Sequence, residues 1–251
     1  MHLDMTTTQW VLAAIATVCI GMSKTGLTGL GMPAVALYAL VFTPRISVGL
    51  VLPMLIMGDV LAICAYHAHA QWKYLWRLFP WTAAGLLAGY FALSHINNKQ
   101  TQLLIGALLL VMVSLHLWRR SRVQAEEDSD NFGNMYWYAA AIGVLAGFAT
   151  MTANAAGPLM VLFLLMMRLP KLAFVGTGAW FFFIVNLVKV PFSVKLHLIT
   201  LHGLAINAAL AVFILIGAVC GKWMLHKVND QWFERVTVGL TVLAAVKMLI
   251  F

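Results

Sequence analysis

The sequence predicts an all-α fold: a polytopic helical membrane protein of about eight to ten hydrophobic helices, built from two pseudo-symmetric repeats of opposite orientation. Three observations lead there. Of the 251 residues, 63% are apolar and 10% charged, whereas a soluble domain is about half apolar and about a quarter charged. The apolar residues gather in runs bounded by charge, proline or polar clusters, and about eight spans of about 20 residues would use about 160 residues. The third observation is an internal repeat. Gly21, Pro33, Pro44 and Asp59 recur as Gly147, Pro158, Pro170 and Asn186, at offsets of 126, 125, 126 and 127. Farther on, Gly85-x-x-x-Gly89 recurs as Gly217-x-x-x-Gly221 and Asn97 as Asn229, all at offset 132.

The runs follow in order. Gln9 to Ser23 is the first. The residues before it carry Asp4 and no Lys or Arg, so they lack the basic region of a cleavable signal, and the run reads as a retained span. A glycine-rich stretch then leads into a short run, Met32 to Thr43, too short to span upright. Ile46 to Tyr66, Arg77 to His95 and Gln102 to Trp118 approach full span length. The polar segment Arg119 to Asn134 is the one long loop. Arg119, Arg120 and Arg122 directly after a span place it in the cytoplasm. It divides the chain into a first repeat, 1–118, and a second, 135–251. The second half holds Met135 to Met151, another short run Pro158 to Met167, then Leu172 to Pro191, Leu198 to Leu225 and Phe233 to Phe251.

Charge decides the relation of the halves. With Arg119–Arg122 inside, an inverted arrangement puts Arg168, Lys171, Lys222, Lys227 and Arg235 inside and Lys189 and Lys195 outside. A parallel arrangement reverses these. The positive-inside rule therefore favours inversion.

Composition also excludes function classes. The net charge is +8, but the basic residues sit between apolar runs and form no stripe, so nucleic acid is not an expected partner. The expected partners are the lipid bilayer and a small anionic solute, with homo-oligomerisation left open. Cys19, Cys64 and Cys220 lie inside apolar runs without metal-ligand spacing and read as packing residues. His67 and His69 stand two apart at a loop edge with no further ligand set. No Walker motif, HExxH or nucleophile elbow is present, so neither a cofactor nor an enzyme activity is expected.

Two matched segments carry the chemistry. Gly21-Met-Ser-Lys-Thr-Gly-Leu-Thr-Gly-Leu-Gly-Met-Pro33 and Gly147-Phe-Ala-Thr-Met-Thr-Ala-Asn-Ala-Ala-Gly-Pro158 each interrupt an apolar run with residues that unwind a helix. Broken backbone at membrane depth is tolerated only where it is buried in protein or lines a watery cavity. Paired breaks in two halves point to a transporter's binding site. A short helix starting at Pro33 or Pro158 would present free N–H groups and a positive dipole end, a site for an anion. Lys24 lies within the first break and adds an ammonium. Asp59 is the one acidic residue deep within an apolar run; it is a candidate proton carrier and a candidate partner for Lys24. Lys189, one turn past Asn186, reads equally as an interfacial anchor or a site residue.

These segments resemble the signature regions of the sulfite exporter TauE/SafE family, a family of small-anion transporters. GMSKTGLTGLGMP is similar to that family's first glycine-rich segment. GFATMTANAAGP with the following LPKLAFVGTGAWFFFIVNLVKVPF is similar to its second. The resemblance covers nearly the whole chain. It implies ATP-independent movement of sulfite, sulfonates or related organosulfur anions across the cell (inner) membrane. The chain departs from many members in having Asn154-Ala155-Ala156 before Gly157 and Pro158, and in having Lys24 at a small-residue position.

The expectation is a secondary transporter of small anions that works by alternating access. Its site combines Lys24, Thr25, Gly29 and Gly31 from the first break with Thr152, Asn154 and Gly157 from the second, backed by Thr177 and Asn186, with Asp59 coupling protons. A channel-like facilitator and a non-transporting accessory subunit are the alternatives.

Overall fold

The computed structural model describes residues 5–26, 30–123, 135–167, 169–224 and 230–250. Ten α-helices account for nearly all of them, and no strand occurs among them. α1 (Thr7–Thr25) opens on a capping box: the Thr6 hydroxyl accepts from the Gln9 amide, and the Gln9 side chain accepts from the Thr6 amide. α2 (Gly31–Val41) is short. α3 (Pro44–Tyr66) starts on a proline, whose fixed φ suits a first turn. A 3-10 turn, His67–His69, leads into α4 (Trp72–His95), followed by α5 (Asn98–Val123). The second half holds α6 (Met135–Ala153), the short α7 (Gly157–Met166), α8 (Lys171–Lys195), α9 (Leu201–Met224) and α10 (Asp230–Ile250).

Each of the ten apolar runs is thus a helix. α5 runs on through Arg119–Val123, because arginine is a good helix former. The rest of the segment up to Asn134 lies outside the described residues, as do Arg168, Lys227 and Asn229. Four helical stretches among the described residues are long and apolar enough to cross a membrane: Pro44–His69, Asn98–Leu115, Leu172–Lys195 and Leu201–Met224. α2 and α7 have 11 and 10 residues. At about 1.5 Å per residue each reaches about halfway across a hydrocarbon core of about 30 Å. Large apolar side chains such as Leu201, Trp137, Val219 and Leu243 point outward, which a lipid solvent accommodates and water would not. The chain is a polytopic helical membrane protein.

Small residues set the closest helix contacts. α1 packs on α9 and α4 packs on α6. Gly21 of α1 meets the α9 backbone at Ile214 and Ala218, and Gly217 of α9 meets the α1 backbone at Val18. In the other pair, Gly147 of α6 meets Thr82 and Leu86, while Gly85 of α4 meets Val144 and Phe148. A side chain at any of these four positions would overlap a neighbour's backbone, so the approach exists only because the hydrogen is small. α3 packs on α8 and α5 on α10. α3 and α8 therefore bring residues from the two halves of the sequence to one place.

Candidate functional site

The site begins where α1 ends. Lys24 sits in the last turn of α1, and its stem passes Gly58 of α3, where the absent side chain leaves room for it. Its Nζ stands 2.7 Å from Asp59 Oδ1 and 4.2 Å from the centre of the Phe182 ring. Asp59 is fully buried. A lone carboxylate there would be costly, so the ammonium and a second donor compensate it. The second donor is Asn186 of α8, whose Nδ2 lies 2.7 Å from Asp59 Oδ2.

The second break is built around Asn154, just past the end of α6. Its φ is 52°, the left-handed region, which asparagine tolerates better than most residues. That turn lets the Ala155 amide return to the Ala149 carbonyl at 3.2 Å. The Asn154 side chain is used at both ends: Nδ2 donates to the Val48 carbonyl of α3 at 3.1 Å, and Oδ1 accepts from Lys189 Nζ at 2.5 Å. Lys189, fully buried on α8, also donates to Thr150 Oγ1 at 3.2 Å. One asparagine thus ties the break between α6 and α7 to α3 and α8. A buried pair, Thr17 Oγ1 and Tyr38 Oη at 2.6 Å, joins α1 to α2 across the first break.

The two breaks meet on one cavity of about 90 Å³, lined by Lys24, Gly31, Asp59, Thr150, Asn154, Gly157, Phe182 and Asn186. Since a single water needs about 10–15 Å³ by the same kind of measure, a four- or five-atom anion has room there. α2 and α7 both begin at its wall. The residues preceding them are Leu30 and Ala156, and neither helix has a side-chain cap. No side chain therefore caps either helix start, and each directs its positive dipole end toward the cavity wall. A Cβ added at Gly157 would meet nothing within 4 Å, so its open side faces the space. Lys24 and Asp59 line the cavity, and a second ammonium, Lys189, stands behind its wall on Asn154 and Thr150. When all three are ionised the surplus is one positive charge, and the site suits an anion.

Several expected residues lie in this wall: Lys24, Gly31, Asn154, Gly157, Asn186 and Asp59. Others are turned elsewhere. Thr25 Oγ1 donates to the Ala218 carbonyl of α9 at 2.8 Å, and its own carbonyl accepts from Tyr66 Oη. Thr152 Oγ1 donates to the Phe148 carbonyl of its own helix at 2.8 Å. Thr177 Oγ1 accepts the Gln71 amide at 2.9 Å and holds the start of α4. Gly29 lies outside the described residues. The geometry adds Thr150 and Phe182 to the wall, with Lys189 behind Asn154. Lys189 was legible as sharing the face of Asn186, three residues earlier on one helix. Thr150 stands 126 residues after Lys24, the spacing of the repeat. Phe182 had no signal beyond apolarity.

Comparison with known proteins bears on this geometry. The family model of the sulfite exporter TauE/SafE matches residues 13–248. No curated protein and no solved structure matches the chain.

Proposed function

The chain belongs to the sulfite exporter TauE/SafE family and is a membrane transporter of that exporter type; from this premise we propose that the cavity between the two breaks is the anion site of a secondary transporter. The single observation that carries the reading is that the first residues of α2 and α7 line one cavity together with Lys24. Sulfite, sulfonates and other small organosulfur anions are the proposed substrates, and the inner membrane is the proposed location. Bound anion would accept from Lys24 and from the first-turn amides of the two short helices.

Alternating access is the proposed mechanism, with one half rocking against the other around the site. Three features support two equivalent halves. Helix lengths run long, short, long, long, long, and then repeat. Glycines matched in the sequence occupy corresponding helix contacts, α1 on α9 and α6 on α4. Asp59 and Asn186, matched at offset 127, hydrogen-bond to each other where α3 and α8 pack. Asp59 is the proposed proton carrier, because anion and carboxylate draw on the same ammonium. An anion taking Lys24 leaves a buried carboxylate short of positive charge, which a proton relieves.

Counterflow in proteoliposomes tests the reading. A carrier loaded with unlabelled sulfite accumulates labelled sulfite transiently from outside. Flux without such an overshoot means a channel-like facilitator, and no flux of any sulfur oxyanion or sulfonate means the chain is no transporter of them.

A further inference from the structure

The amide of Asn186 is turned in a direction that an anion site does not need. Asn186 is fully buried and lines the cavity. Its Nδ2 is spent on Asp59, while its Oδ1 makes no hydrogen bond within the protein. An unpaired acceptor therefore stands in a cavity that receives anions. The orientation follows from Asp59. A carboxylate that accepts from Lys24 at 2.7 Å takes the N–H end of the amide and leaves the carbonyl end over.

Resting on the proposed anion site, we infer that Asn186 is the positioning residue that links protonation of Asp59 to anion binding. A proton entering through the cavity adds to Asp59 Oδ2, which becomes an O–H donor. The Asn186 amide turns over: Oδ1 accepts that O–H, and Nδ2 now aims at the cavity and donates to the anion. Lys24, no longer facing a carboxylate, keeps its proton and binds the same anion. One anion and one proton enter, and the charge of the complex is unchanged. The Asn186 carbonyl left over before is then paired. The titratable groups that reach Asp59 are Lys24 from α1 and Lys189 from α8. No other titratable side chain reaches it among the described residues of α2, α5, α9 and the His67–His69 turn, which also pack on α3.

The test uses the full chain in nanodiscs with methanesulfonate and isethionate, sulfonates whose own charge does not change near neutral pH. Anion affinity is measured against pH, and proton uptake on binding is read in weak buffer. In the wild type, about one proton is taken up per anion above the titration of Asp59, and affinity falls about tenfold per pH unit there, since the linkage is reciprocal. Asp59→Asn supplies the donor permanently and binds without proton uptake at every pH. Asn186→Leu, with Asn186→Ala as a second variant should leucine misfold, binds more weakly and takes up well under half a proton per anion. Wild-type proton uptake in folded Asn186 variants overturns the amide switch and leaves the Asp59 reading standing. Persistent pH dependence in Asp59→Asn overturns both. Absence of binding by wild type to either sulfonate, and to sulfite, overturns the anion site itself.

Discussion

Replacement of Lys24 separates a structural cation from a binding one. In Lys24→Gln the carboxylate of Asp59, fully buried, keeps only the Asn186 donor. Removing one member of a buried ion pair costs about 3–5 kcal/mol. The ring of Phe182 also loses the cation 4.2 Å from its centre, worth about 0.5–2 kcal/mol. The single variant is therefore expected to melt well below the wild type. In Lys24→Gln/Asp59→Asn the ion pair is removed as a unit, Lys189 keeps its bonds to Asn154 and Thr150, and most of that loss is recovered. Anion binding must not recover. A charge-assisted hydrogen bond contributes about 1.5–3 kcal/mol, so the double variant binds sulfite or a sulfonate roughly ten- to hundredfold more weakly. The assay is a melting curve of purified protein with and without each anion, backed by calorimetric titration. A double variant that melts like the wild type and binds every anion with wild-type affinity would refute Lys24 as a ligand and leave it a structural ion-pair partner.

Three other outcomes follow from the geometry. Gly157→Ala places a methyl where nothing lies within 4 Å; melting should stay within about 1 kcal/mol of wild type, while uptake shifts toward smaller anions, as competition by methanesulfonate against longer sulfonates will show. Gly147→Val and Gly217→Val each drive a side chain into a facing backbone, and overpacking of about 1–3 kcal/mol or more should cut the folded yield on size-exclusion chromatography. Asn154→Gly keeps the φ of 52° but loses both side-chain bonds. Asn154→Ala loses the same bonds and adds left-handed strain of about 1–2 kcal/mol, so alanine should melt below glycine; equal melting would mean the left-handed turn carries no strain.

Much of the fold and part of the candidate cavity's lining could be read in the sequence, for one physical reason. Helices in a bilayer form wherever an apolar run satisfies its own backbone, and they stop where glycine, proline or charge intervenes. Both signals are local, which is why the ten runs correspond to α1–α10 and why the short α2 and α7 could be recognised from run length. Lys24, Asp59, Asn154 and Asn186 stood out because a polar group inside such a run needs a reason. Partnership was not local. Asp59 finds Lys24 of α1 and Asn186 of α8, the latter 127 residues away, and only the packing of α3 against both brings them within 2.7 Å. The same packing turned Thr25 to α9, Thr152 to its own helix and Thr177 to α4, although all three lie in polar stretches. It also buried Lys189, a residue equally fit for an interface, beside Asn154. A helix that is apolar almost all round has no sequence-encoded inner face. Which side of it meets the cavity is decided by neighbours, through glycine contacts that set rotation and depth.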